Sequence, residues 1–295
     1  MRRNTCRHSA IAALLIAVGG CSGNEEPAEF RPTTILEAVL VSDTTAVRDF
    51  LARGADVNAP EVDGTTLLMR AIHGRSPDIA KLLIDAGANV STANRYGVNA
   101  LYLAAHTTDA QTTRELLAAG ADANASLPEG ETALMTAAKA GSAEIVRLLL
   151  AGDARSALPG NAATEIAPTT TSSGYFAVAG VSAGIKNRAD PNAKEGWHGQ
   201  TALMWAAAEG HADVVRLLIE AGANVNAANQ AGQTAVHSAT IRGSTANIQY
   251  LADHGADLNA KDLKGHTPLD IALGLPEERI PYNEATATLL RHLSR

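Results

Sequence analysis

The residues best equipped for chemistry stand together in "GQTALMWAAAEGH", Gly199 to His211, where Glu209 and His211 follow Met204 and Trp205. A carboxylate beside an imidazole is the pairing used in general acid–base catalysis and in metal ligation. The stretch is therefore either a reaction centre or a structural module. The rest of the chain gives the first reading little support. Its nine histidines are scattered, and His237, His254 and His266 hold different places in the local pattern, which argues against a zinc site. No Gly-x-x-x-x-Gly-Lys phosphate loop or Cys-x-x-Cys-His haem attachment occurs. Thr169 to Ser173, "TTTSS", carries hydroxyls without a general base nearby in sequence and reads as solvated linker. Asp213, Arg216 and Glu220 fall at helical spacings of three and four, the pattern of outward charge pairing. No catalytic residue, metal or cofactor is assigned.

Elements that would position such residues have to be built without large side chains. Aromatic residues are 3% of the 295 residues, whereas aromatics ordinarily dominate a single deep core. Alanine is abundant, so close and repetitive packing is expected. The two cysteines, Cys6 and Cys21, leave nothing downstream for a disulfide framework or a thiolate metal site.

Self-similarity decides the architecture. Gly64, Gly97 and Gly130 are 33 residues apart, as are Gly199, Gly232 and Gly265. Each opens one phrase: "GTTLLMRAI", "GVNALYLAA", "GETALMTAA", "GQTALMWAA", "GQTAVHSAT" and "GHTPLDIAL". All but the last are followed by a second apolar stretch, and "GADVNA", "GANVST", "GADANA", "GANVNA" or "GADLNA" recurs between phrases. The pattern resembles the ankyrin repeat, and Thr267-Pro268-Leu269 keeps part of that signature. The resemblance runs from about Arg31 to Arg295 with one interruption. It implies an all-α solenoid of about seven helix-turn-helix units with hairpin-like projections.

The residues of the Gly199 unit lead to the same place. Thr201 can cap a helix over Ala202–Glu209, and Gly210 can end it in the left-handed conformation. A second helix over Ala212–Ala221 stops before Gly222, with Val214, Val215, Leu217 and Leu218 as its apolar stripe. Both are shorter than the ~12–15 residues at which isolated helices become marginal, so they need neighbouring units. His211 then belongs to the helix-to-helix turn, Met204 to the core in the place of the family's signature histidine, and Trp205 to partly buried packing. The stretch is a module, not a reaction centre.

The first unit lacks the Gly-x-Thr opening and carries Glu37 at an otherwise apolar place, as an N-terminal cap requires. The last lengthens its connection with "GLPEERIPYN" and closes the stack. Between Gly130 and Gly199 the spacing is 69 instead of 33. Most of the excess is "DARSALPGNAATEIAPTTTSSGYFAVAGVSAGIKN", residues 153–187, in which 22 of 35 residues are Ala, Gly, Ser, Thr or Pro. It reads as a flexible excursion or as an eroded repeat. The division is thus a leader over 1–20, a tether over 21–30, repeats one to four over 31–152, the insert over 153–187, and repeats five to seven with the C-terminal cap over 188–295.

The leader has a basic start (Arg2, Arg3, Arg7) and an apolar run from Ala10 to Val18, too short to span a bilayer and shaped like a signal peptide. Val18-Gly19-Gly20-Cys21 resembles the lipobox of bacterial lipoproteins; the alternative is an ordinary secretory signal with an incidental cysteine. The resemblance implies cleavage before Cys21 and its acylation, two or more chains giving stable anchoring. Ser22 implies outer-membrane sorting, facing the periplasm. Cleavage strips three arginines and no carboxylate from a chain of net charge −7. So acidic a body is a poor partner for nucleic acid, whose binding rests on neutralising phosphates.

Solenoids of this family bind through their projection tips and first-helix ends, which line the concave side. Transferred residue by residue, the tips supply Val62, Asp63 and Thr65; Arg95, Tyr96 and Val98; Glu129 and Glu131; Trp197, His198 and Gln200; and Gln230 and Gln233. The helix ends supply His73, His106, Lys139, Glu209, Ile241 and Arg242. Aromatics and arginine are the usual interface anchors, which singles out Trp197, Tyr96, Arg95 and Arg242. The expected function is that of a monomeric, non-enzymatic, lipid-anchored module that holds a protein partner. The alternatives are a scaffold or inhibitor of a periplasmic enzyme, or an enzyme whose catalytic lobe is the insert.

Overall fold

The computed structural model describes residues 31–152 and 187–294. Seven helix-turn-helix pairs follow one another. They are α1 (Ile35–Leu40) with α2 (Thr44–Ala52), α3 (Leu67–His73) with α4 (Pro77–Asp85), α5 (Ala100–His106) with α6 (Ala110–Ala118), and α7 (Ala133–Ala140) with α8 (Ala143–Ala151). Then come α9 (Ala202–Glu209) with α10 (Ala212–Glu220), α11 (Ala235–Arg242) with α12 (Thr245–Asp253), and α13 (Pro268–Ala272) with α14 (Glu284–Leu293). The odd-numbered helices stack on one another in order, and so do the even-numbered ones. No strand occurs among the described residues; the projections hold only isolated bridges such as Ala93 with Asn99.

Short helices of this kind depend on their ends. Thr66, Thr132 and Thr201 each accept the N–H three residues on, at Met69, Met135 and Met204, at 3.3 Å, and Asn99 does the same for Tyr102 at 2.8 Å. Gly141, Gly210 and Gly243 end α7, α9 and α11 with φ of 73°, 84° and 77°, where a side chain would be strained. Between the ends the contact surface is made of small residues. Ala104, Ala105, Ala137, Ala138, Ala206 and Ala207 are wholly buried, which lets one layer of helices approach the next closely. The result is a continuous apolar strip from Ala38 to Leu290 and no single centre.

The stack runs directly from repeat four to repeat five. Helix α7 packs on α9 and α8 on α10, and Ala189 N–H donates to Leu149 O at 2.9 Å, as Ala223 N–H does to Leu218 O one unit later. Asparagine carboxamides staple successive units across this junction as elsewhere. Asn124 accepts from Asp190 N–H at 2.7 Å and donates to Arg188 O at 2.9 Å. Asn192 repeats this pattern with Asn224 N–H and Gly222 O, and Asn226 with Asp257 N–H and Gly255 O. Arg188 thus occupies the place that Gly222 has in the next unit. Residues 153–186 of the expected insert lie outside the described residues. Its last member, Asn187, accepts from Ala123 N–H at 2.8 Å and donates to Ala121 O.

Candidate functional site

Four of the projections are each organised by one side chain that folds the tip around itself. Asn94 accepts from the N–H groups of Tyr96 and Val98, Asn229 from Ala231 and Gln233, and Asp262 from Lys264 and His266. In the fourth projection, one residue longer, Glu195 takes that role. Its carboxylate accepts from Trp197 N–H at 2.7 Å and from His198 and Gln200 N–H at 2.9 Å each. Burial raises the Glu195 pKa, but the three N–H groups outweigh it and hold the carboxyl below its ordinary value. Backbone bonds chain neighbouring tips: Arg95 N–H to Asp63 O, Gly196 N–H to Glu129 O, Gln230 N–H to His198 O and Leu263 N–H to Ala231 O. Pro128 has no N–H to give at the equivalent place of the third tip, and its ring sits against Gly97 instead.

This framework leaves apolar side chains facing water along the tips. Tyr96 is 63% exposed, Trp197 69% and Leu263 79%. Because the backbone of Trp197 is tied to Glu195, its indole is held out on a fixed turn and not on a loose loop. Arg95 lies along the row, with its guanidinium donating to Val62 O at 2.6 Å. At the helix ends His106 is exposed and stacked with Tyr102, with ring centroids 6.3 Å apart. Lys139 places its Nζ 4.5 Å from the centre of the Trp205 ring, and Arg242 lies over Gly210. Ile241 is 49% exposed and Glu209 half-buried.

The sequence-derived residues fall into separate groups. Trp197 and His198 line one cleft of about 330 Å³ with Glu129, Glu131, Glu195 and Trp205. Arg95 lines another, of about 550 Å³, beside Ile35, Leu36 and Val62 at the first repeat. Ile241 and Arg242 end α11, away from both clefts. Gln200 acts through its backbone, exchanging hydrogen bonds with Glu195. Two residues escaped the sequence reading. Glu195 was legible as the organiser, since "KEG" stands where other units have Asn94, Asn229 and Asp262. Leu263 sits one residue after such an organiser, as Arg95 does.

Of the Glu209 and His211 pair, His211 is held by structural contacts. His211 caps α10 at its start and pairs its Nε2 with Lys139 O at 3.1 Å across two units. Met204 is 2% exposed, and Trp205 packs half-buried against the core. The histidine at Met204's place in repeat six, His237, is fully buried. It accepts Thr234 N–H on Nδ1 at 3.1 Å and meets His266 O with Nε2 at 3.3 Å, so its proton sits on Nε2. Among the described residues no three His, Cys, Asp or Glu side chains are grouped to hold a metal ion.

Comparison with known proteins agrees with this architecture. The family model for ankyrin repeats (three copies) matches residues 35–126, 101–167 and 175–262. No curated protein matches the chain. Among solved structures, the human ASB11 ankyrin repeat domain is 22% identical with a TM-score of 0.63, over 89% of this chain and 98% of that one. The ankyrin repeat domain of Bcl-3, a member of the IkappaB family, is 26% identical with a TM-score of 0.62, over 89% of this chain and 100% of that one. Ankyrin-repeat domains are typical protein–protein interaction modules, generally without enzymatic activity. With matches over most of its length and one helix-turn-helix unit stacked seven times, the chain belongs to the ankyrin-repeat family.

Proposed function

We propose that this protein is a lipid-anchored, non-enzymatic module that captures a protein partner on the concave side of its solenoid. The observation that carries the reading is the row of fixed tips bearing exposed Tyr96 and Trp197, continued by Arg95 and the helix-end residues His106, Lys139, Ile241 and Arg242. Exposed aromatics on a backbone-bonded framework lose little conformational entropy on binding, which favours them as anchors. Acylation at Cys21 would hold the module at the outer membrane facing the periplasm, with the protein monomeric. Cys21 lies outside the described residues, and the anchoring reading rests on the Val18–Cys21 motif. Among the described residues no helix is long and apolar enough to cross a membrane. A scaffold or inhibitor of a periplasmic enzyme would use the same surface.

The test is crosslinking in membranes followed by identification of what co-purifies. Alanine at Tyr96, Trp197 and Arg242 together should leave the helical circular dichroism unchanged and remove the specific partner. Equal recovery of the same partner by the triple variant would sink the surface. Cys21→Ala should move the protein from the membrane to the soluble fraction. Deletion of residues 153–187 should leave a folded stack that keeps its partner, whereas an enzyme built on the insert would lose its activity.

A further inference from the structure

The cleft at the fourth projection differs in chemistry from the rest of the binding row. The chain has two tryptophans, and both line it. Three carboxylates, Glu129, Glu131 and Glu195, share its walls. We infer that this cleft receives a basic side chain, a lysine ammonium or an arginine guanidinium, carried by the partner, against the tryptophan faces and with Glu129 and Glu131 as counter-charges. The inference rests on the proposed partner-binding role and names the partner's chemistry at one point of it.

The carboxylates divide by what already occupies them. Glu195 is spent on three backbone N–H groups and builds the wall. Glu131 accepts from Thr136 Oγ1 at 3.0 Å through one oxygen, and Glu129 is exposed. Their charge is felt nearby: the Tyr102 hydroxyl is held above its ordinary pKa by burial first and by Glu131 next. The chain also shows that this wall accepts a cation, since its own Lys139 Nζ lies 4.5 Å over Trp205. Among the described residues no such cation covers Trp197, whose indole is 69% exposed. Lys139 offsets one of three negative charges, so the cleft stays net acidic. An acidic partner would be repelled there, and a purely apolar one would bury Glu129 and Glu131 without a counter-charge. The larger cleft beside Ile35 and Leu36 lacks this argument, because nothing there selects one occupant over another.

Because both tryptophans line the cleft, indole emission of the full chain in detergent reports on it alone. The probes are three capped peptides, Ala-Arg-Lys-Arg-Ala, Ala-Gln-Gln-Gln-Ala and Ala-Glu-Glu-Glu-Ala. The basic peptide should change the emission saturably, with an affinity that falls as NaCl is raised. Glu129→Gln with Glu131→Gln should weaken it about fivefold or more, and Trp197→Phe about twofold to fivefold. Circular dichroism and thermal melting should show both variants folded. An equal response to the glutamine peptide, or an unchanged affinity in the double glutamine variant, would overturn the proposal. The two readings fail separately. If the triple alanine variant loses the crosslinked partner while the glutamine variant still binds the basic peptide, the cation chemistry is wrong and the surface stands. If the glutamine variant loses the peptide but the triple variant keeps the partner, the surface is wrong and the cleft chemistry stands.

Discussion

The centre of the stack and its C-terminal end are made from the same module with different fillings. In α8 and α10 the third helical residue, facing the neighbouring units, is Ile145 or Val214, buried and apolar. In α12 and α14 the same place holds Asn247 and Thr286, both fully buried, and Asn247 Oδ1 and Nδ2 and Thr286 Oγ1 have no hydrogen-bond partner among the described residues. The end also keeps Leu273 and Tyr282 exposed on its long connection, at 41% and 56%. A solenoid's stability is close to a sum of unit and nearest-neighbour terms, so unsatisfied groups at one junction weaken that junction and not the whole. The fourth tip, with its two-tryptophan cleft, stands on the apolar contacts of α8 and α10, while α12 and α14 meet with buried polar groups that find no partner among the described residues.

That contrast can be broken first at its strongest point. Glu195→Ala removes the acceptor of three backbone N–H groups at once and should lower unfolding free energy in urea by about 2–3 kcal/mol, with Glu195→Gln recovering part of it. Little change would mean that water replaces the carboxylate and the tip is not held by it. At the other end the sign reverses. Asn247→Ile installs the residue found at Ile79 and Ile145 and should raise the melting stability by about 1–2 kcal/mol, leaving the cleft at the fourth tip untouched. A destabilised variant would show that Asn247 has partners in solution.

Acid sharpens the comparison, because the centre and the C-terminal end answer in different pH windows. Burial lowers the pKa of His237 below 6.5, its carbonyl and carboxylate neighbours opposing this more weakly. The unfolded chain then binds a proton that the folded one refuses, so this contribution is complete above pH 6.5 and declines as pH falls below it. The slope is at most about 1.4 kcal/mol per pH unit. Denaturant titrations between pH 7 and 5 should show it, and His237→Met, the residue at Met204's place, should flatten it. Glu195, with its pKa below 4.5, loses its contribution only as pH falls under that value. The smallest effect belongs to the proposed surface itself. Trp197→Ala should change stability by no more than about 0.5 kcal/mol, as an exposed side chain away from the core does.

Much of this was legible in the sequence because the repeat is a local code. The first helix of the Gly199 unit was placed at Ala202–Glu209 and is found there, with Thr201 and Gly210 as its caps. The second was placed to Ala221 and ends at Glu220. Caps, glycines and the apolar stripe act within a few residues, so spacing alone reads them. Glu195 could be placed by aligning "KEG" with Asn94, Asn229 and Asp262, but the three bonds it accepts come from backbone groups, which carry no letter. The unsatisfied state of Asn247 could not be read either, since it depends on what α14 offers from across the junction.

The amino-acid order by itself therefore determined the unit, its length, its caps and the one-dimensional way in which units must lean on each other. Which side chains meet was decided only by stacking. Glu129 and Trp205 lie 76 positions apart in the chain and share one cleft because repeats four and five pack directly despite the long segment between them. Local chemistry sets each helix, but contact between units depends on the register of one layer over the next, and that is fixed by the packing of alanine surfaces in three dimensions.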